Sequence, residues 1–422
     1  MIKHVFSFET FFVLFLFSSQ FKEAYPFSLI PHISLLLAVV LIPWAFILFR
    51  KNNETKFLTA EIASFLLFSL WCLASACWAE RTTYSMSKTL CFGVYTVPSF
   101  LMAYHIIGTN QERLTRFLYA ICIFSFGVHL AAYKELILSH WSRVDVLGAN
   151  YLVTGQTLGL GFILLSLFSF FKLREYEKVL TSQILFYFIM FLCGSYTYIQ
   201  LHLGGRGPVI GVFLTLLYFY MYGIFKGDKQ LCAKHFMCVS VSCVITYFLF
   251  DFLFDSHTNP FMYRMKRMMV SNEVSPLNFA VDESIGLRLE YYESAISAFL
   301  KHPLVGLGFG GWAQFHDTLY HYVPDAHDLR DVFWRHPHNI GLEVLAETGL
   351  VGGVLGGWFG ILILKKISFK HIVRSFSDAA PILMFAFSFF NALKSGDLND
   401  NLLFFTMTGI LAGKENYKKQ LS

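Results

Sequence analysis

The sequence predicts an all-α polytopic membrane protein that crosses the bilayer about twelve times, and three observations predict it. Apolar residues make up 55% of the 422 and 48 residues are Phe, whereas only 14% carry charge; a water-soluble domain usually carries about a quarter. The apolar residues come in runs of about 17–25, the length of helix that spans roughly 30 Å of hydrocarbon. Within hydrocarbon each backbone polar group needs a partner inside its own element, and that selects helices for these runs.

The runs fall at 5–21, 28–49, 60–78, 89–108, 114–133, 150–171, 180–200, 207–225, 235–254, 341–364, 378–393 and 401–413. Lys3 precedes the first, but Glu9 interrupts it and no small-residue cleavage pattern follows, so it reads as an uncleaved helix and not as a signal peptide. A long polar stretch separates the ninth run from the tenth. The expected organisation is therefore nine membrane helices over 1–254, a loop containing an amphipathic helix over 255–340, and three helices with a short tail over 341–422.

Basic residues set the orientation. With the N-terminus in the cytoplasm, the short inside segments hold 19 of the 33 Lys and Arg. The short outside loops hold seven: Lys22, Arg81, Lys88, Lys134, Arg143, Arg206 and Lys394. Both termini are then cytoplasmic, and the loop 255–340 lies on the outer face.

Eight cysteines show neither a disulfide framework nor zinc-ligand spacing, and most sit inside the runs as small apolar residues. The net charge of +5 follows from the positive-inside bias, and no basic stripe with interleaved aromatics suggests nucleic acid. A transporter would show repeated, interrupted helices in two halves. Here the unusual residues gather instead at the outer helix ends and in the long loop.

Within that loop, Gly286-Leu287-Arg288 opens a helix in which Leu289, Tyr292, Ile296 and Phe299 recur at helical spacing, suiting a face on the membrane surface or the bundle. Lys301-His302-Pro303 stops it. The following Gly306-Leu307-Gly308-Phe309-Gly310-Gly311 matches a dinucleotide-binding pattern, but no strand precedes it. It reads as a flexible turn beside the bilayer.

The sharpest feature is Arg335-His336-Pro337-His338-Asn339 followed by Gly349-Leu350-Val351-Gly352. Asn339 suits the cap of a helix starting near Ile340, which places His338 at the positive end of that helix. Gly349 and Gly352 suit close helix packing in lipid. Glu343 and Glu347 share one face below His338, and intramembrane carboxylates are costly enough to imply a role. Arg143, Arg206 (in Leu203-Gly204-Gly205-Arg206-Gly207-Pro208) and Arg288 fall at outer ends. Their planar donors suit a pyrophosphate; each alone also suits an interfacial anchor.

Together these residues resemble the bacterial O-antigen ligase and polymerase superfamily, whose hallmark is His-Asn, nine residues, Gly, two residues, Gly. Here that is His338-Asn339, Ile340 to Thr348, Gly349 and Gly352. The stretch from Arg288 through Pro303-Leu304-Val305-Gly306-Leu307-Gly308, and Ser395-Gly396-Asp397-Leu398-Asn399-Asp400-Asn401, also look like the family. Gly205 stands where a serine is common before the arginine.

The resemblance implies a GT-C-like glycosyltransferase of the bacterial inner membrane with a periplasmic active site. Its donor would be a glycan on undecaprenyl pyrophosphate. Its acceptor would be lipid A–core in a ligase, or another lipid-linked repeat unit in a polymerase. Arg143, Arg206 and Arg288 would hold the pyrophosphate, and His338 would serve the acceptor hydroxyl as base or orienting group. No Asp-x-Asp occurs in the chain, so no metal and no cofactor are expected. Asp397 and Asp400 would bind sugar hydroxyls or order their loop. Apart from its substrates, the chain would meet membrane lipids and no nucleic acid. A flippase or transporter is the remote alternative, and a sensor that recruits a partner through the long loop leaves the His338 motif unexplained.

Overall fold

The computed structural model describes residues 6–21, 32–51, 58–80, 82–138, 145–175, 180–254, 283–320, 335–367, 372, 374–394, 397–399 and 401–421. Their order is α1 Phe8–Leu16, α2 Ile33–Lys51, α3 Ala60–Ser75, α4 Thr82–Cys91, α5 Val97–Met102, α6 Gln111–Leu138, α7 Tyr151–Glu175, α8 Leu180–Leu203, α9 Arg206–Phe225, α10 Lys229–Phe254, α11 Glu283–Lys301, α12 Trp312–Leu319, α13 Ile340–Lys366, α14 Phe376–Lys394 and α15 Leu402–Leu421. No strand occurs among the described residues; one isolated bridge joins Val146 and Ala149.

Among the described residues ten segments are long and apolar enough to cross a membrane, and they correspond to the second through eleventh expected runs. The first run holds a short helix, and the last is met by the helix Leu402–Leu421. α1 has nine residues, about 14 Å at helical rise, and passes into a 3-10 turn at Ser18–Phe21. α15 is apolar only to Gly413, after which Lys414, Glu415, Lys418 and Lys419 follow. The fourth run begins earlier than expected, with the span extending over Thr83–Gly108 through π-helical turns at Phe92–Thr96 and Ala103–Gly108.

The chain forms two compact units. The first comprises residues 1–44, 110–270 and 368–387. In it α8 packs on α7 and α10, α7 packs on α6 and α9, and α1 packs on α6. Small residues allow these approaches in lipid: a side chain at Gly161 would overlap Ser125 and Tyr196, and one at Gly194 would overlap Thr246. Several buried polar atoms are paired, His129 Nε2 with Ser195 Oγ at 3.0 Å and His235 with both Ser169 Oγ and Tyr220 OH at 2.8 Å. Glu9, which interrupts the first run, is buried against Arg113 at 3.1 Å.

The second unit comprises residues 45–109, 271–367 and 388–422. α13 packs on α3 and α11, and α15 packs on α5 and the π-helical turn after it. Phe65 is the hub of its apolar core, its ring tilted against those of Phe100, Phe359 and Phe405 at centroid distances of 4.1–5.7 Å. On α11 the buried residues are Ser294, Ala295 and Ala298, whereas of the expected stripe Leu289 and Ile296 are exposed and Tyr292 and Phe299 half-buried. The exposed part of the stripe suits a lipid surface.

Candidate functional site

The site in the second unit is built on a break in α13. Gly349 has φ 64° and ψ −163°, which no helix allows and which is essentially a glycine conformation. The break frees backbone groups that a bilayer cannot hydrate. The segment 303–308 supplies their partners: Leu307 N–H donates to Ala346 O at 3.0 Å and Gly308 N–H to Glu347 O at 2.9 Å, while Leu350 and Val351 N–H donate to Pro303 O and Leu304 O at 2.8 and 3.2 Å. Trp71 Nε1 donates to Thr348 O at 3.0 Å. The glycine-rich turn, expected to be a flexible element beside the bilayer, is therefore a fitted part of the helix junction. Gly349 likewise differs from the expected packing glycine: its backbone conformation makes the break. Gly352 does lie at a close approach, beside Thr348 and Trp71.

The half-helix 340–348 carries two buried carboxylates on one face, and both meet Lys88. The Lys88 ammonium donates to Glu343 Oε1 at 2.5 Å and to Glu347 Oε1 and Oε2 at 2.9 and 2.8 Å. Glu343 also accepts the Leu398 N–H at 3.1 Å, and the ring of Phe309 lies 4.9 Å from the ammonium. All three charged side chains are 2% exposed or less. Lys88 was counted from the sequence among the short outer-loop cations. It lies instead inside α4, because helix begins at Thr82 and not after Lys88.

His338 precedes this half-helix. Its backbone is in the left-handed region at φ 55°, uncommon for a non-glycine residue. Asn339 caps the helix, accepting the Leu342 N–H at 3.0 Å. The imidazole stacks on Tyr291 at 5.7 Å and meets His336 edge-on at 4.2 Å. Tyr291 in turn meets Trp312 and His316 edge-on, and Arg335 is tied to Asp317 at 2.9 Å. Nδ1 of His338 is buried and has no hydrogen-bond partner among the described residues. Burial, and then the positive fields of His336, Arg288 and Lys394, push the imidazole down to about 3, so it is neutral near pH 7.

Of the expected site residues, this unit brings together His338, Asn339, Glu343, Glu347, Gly349, Gly352, Arg288 and Asp397. Asp397 orders its turn by accepting the Asn399 N–H at 2.8 Å. Arg206 is in the first unit, as the first residue of α9 after the break at Gly204-Gly205. Arg143 and Asp400 lie outside the described residues. Sequence reasoning missed Lys88, Lys394, Tyr291 and His336 as neighbours of the motif. A signal existed for Lys88: two buried carboxylates in hydrocarbon demand a cation. No group of three or more His, Cys, Asp or Glu among the described residues could hold a metal ion.

Residues 188–357 match a protein-family model described as O-antigen ligase. The matched stretch contains Arg206, Arg288 and the whole of His338-Asn339 to Gly352, and it supports the resemblance read from the sequence. No curated protein matches the chain.

Proposed function

We propose that this protein transfers a glycan from undecaprenyl pyrophosphate to lipid A–core on the periplasmic face of the bacterial inner membrane, as a GT-C-like enzyme. The observation that carries the reading is His338, held neutral by burial at a helix N-terminus, with the charges of Arg288 and Lys394 reaching it. Glycosyl transfer from a pyrophosphate requires stabilisation of the leaving group's negative charge and removal of the acceptor's proton.

In this reading the acceptor oxygen attacks the anomeric carbon opposite the pyrophosphate. The new C–O bond forms as the bond to the phosphate oxygen breaks, with inversion, and undecaprenyl pyrophosphate leaves. Arg288 and Lys394 bind the phosphates, and the proton of the acceptor passes to His338. Loading is part of the chemistry. Burial is the main cause of the imidazole's low affinity for a proton, and a pyrophosphate among these cations offsets the smaller part that their charges contribute. Arg206 and Arg143, outer-face cations by the sequence topology, are further candidate phosphate ligands. In this reading these cations stabilise the leaving group's charge, and the glycosyl transfer uses no metal.

The test is a lipopolysaccharide gel from cells deleted for this gene and complemented with wild type or His338→Ala. Loss of all O-antigen from the core, with lipid-linked polymer accumulating, supports the ligase. A single repeat unit left on the core identifies a polymerase that joins lipid-linked units. Wild-type banding from His338→Ala removes His338 from the chemistry.

A further inference from the structure

The half-helix bearing His338 is not steered by the helix that follows it, because Gly349 interrupts the backbone between them. Its position is set by what it bonds to sideways. One such contact is the glycine-rich turn, through the amides of Leu307 and Gly308. A second is the bond from Trp71 Nε1 to Thr348 O. The third is the Lys88 ammonium, which holds Glu343 and Glu347, one helical turn apart, at the same time. Glu343 extends the connection to the turn before α15 by accepting the Leu398 N–H. Phe309 of the glycine-rich turn covers the ammonium, and Ser85, one turn before Lys88 on α4, donates to Phe309 O. Four segments thus meet at one buried cation.

We propose that Lys88 is a positioning residue for His338: through Glu343 and Glu347 it fixes where the detached half-helix, and therefore the imidazole at its head, stands. The proposal rests on the functional reading of His338 for its kinetic consequence and not for its geometry. A single ammonium is suited to this because its three donors satisfy two carboxylates in different directions. The ion pairs are also fully desolvated, so their geometry is stiff. Simple apolar packing would hold the same segments together without fixing their register.

The test uses the full chain in lipid nanodiscs with Lys88→Met, Lys88→Arg and the charge-free triple variant Lys88→Met/Glu343→Gln/Glu347→Gln. The first readout is geometric: the rate at which diethyl pyrocarbonate modifies His338, followed by peptide mass spectrometry, with the exposed His302 as internal reference. The second is transfer, using lipid-linked glycan and core lipid extracted from the gene-deleted cells. Misplacing a reacting group by about an ångström can cost on the order of a hundredfold in rate, and a smaller displacement correspondingly less. Lys88→Met is therefore expected to change the His338 rate by about fivefold relative to His302, and to lower kcat about tenfold with donor KM nearly unchanged. Lys88→Arg should restore both.

If Lys88→Met does not fold, the triple variant carries the test, since it leaves no unpaired buried charge. It should show the same altered reactivity and low kcat. Wild-type His338 reactivity and kcat in a folded Lys88→Met or in the triple variant overturn the proposal. Altered reactivity combined with a fully active His338→Ala would retain the positioning role and reject the proposed chemistry of His338.

Discussion

Gly306 and Gly349 face one another so closely that a Cβ on either would overlap backbone across the junction, Glu347 in one direction and Leu304 in the other. Both have positive φ, 69° and 64°. The two glycines belong to sequence features that look unrelated, a glycine-rich turn and the glycine that closes the His-Asn motif. They are two sides of one joint, and the joint frees the half-helix 340–348 from the membrane helix behind it.

That joint predicts the cost of a methyl group. Gly349→Ala places a side chain in a conformation costing about 1–3 kcal/mol and adds overlap with Leu304 O. Gly360→Ala, where a Cβ meets nothing within 4 Å, serves as the control. Thermal unfolding in detergent should show a marked drop for Gly349→Ala and none for Gly360→Ala. Equal melting temperatures would mean that the break is not needed.

The buried ion cluster predicts strong non-additivity. Glu343→Gln or Glu347→Gln alone leaves Lys88 one carboxylate. Removing both leaves a desolvated ammonium without a counter-charge, a change that typically costs about 3–5 kcal/mol. The double variant should therefore lose much more stability than the two single losses combined. Additive losses in denaturation midpoints would argue against a shared cation.

Acid should weaken the fold partly through His338. An unfolded histidine titrates near 6.5, whereas the folded imidazole is pushed down to about 3. Between those values the unfolded chain binds more protons, so stability rises with pH. The contribution is fully present above about pH 6.5 and is lost as pH falls toward 3. His316, pushed down to about 4, acts in the same direction. His338→Asn should lose less melting temperature than wild type between neutral and mildly acidic pH; identical losses would remove His338 from the acid limb.

Transfer should survive a chelator. Arginine and lysine charges take the place of a divalent ion in the proposed reaction, and purified protein in excess chelator should keep its rate within about twofold, since charge stabilisation comes from fixed side chains. Restoration of a lost rate by added magnesium would overturn that part of the mechanism.

Much of this was legible in the sequence because membrane helices are determined locally. Ten spans, the cap at Asn339 and the start of α13 follow from apolar run length, proline placement and side-chain hydrogen bonding within a few residues. The His338 motif was legible for the same reason, since its parts lie within fifteen residues of one another. α1 is shorter than its run because an apolar stretch by itself does not state where regular helix stops, whereas α15 stays apolar to Gly413, where the last run was expected to end.

What the tertiary structure alone decided was partnership. Nothing local in Gly306-Leu307-Gly308 states that its amides will meet Ala346 and Glu347, and nothing around Lys88 names residues 255 and 259 positions away as its counter-ions. The sequence by itself determined that carboxylates in a membrane helix would be costly and so would have a role, because hydrocarbon offers them no partners. Only folding could choose which distant groups arrived to supply them.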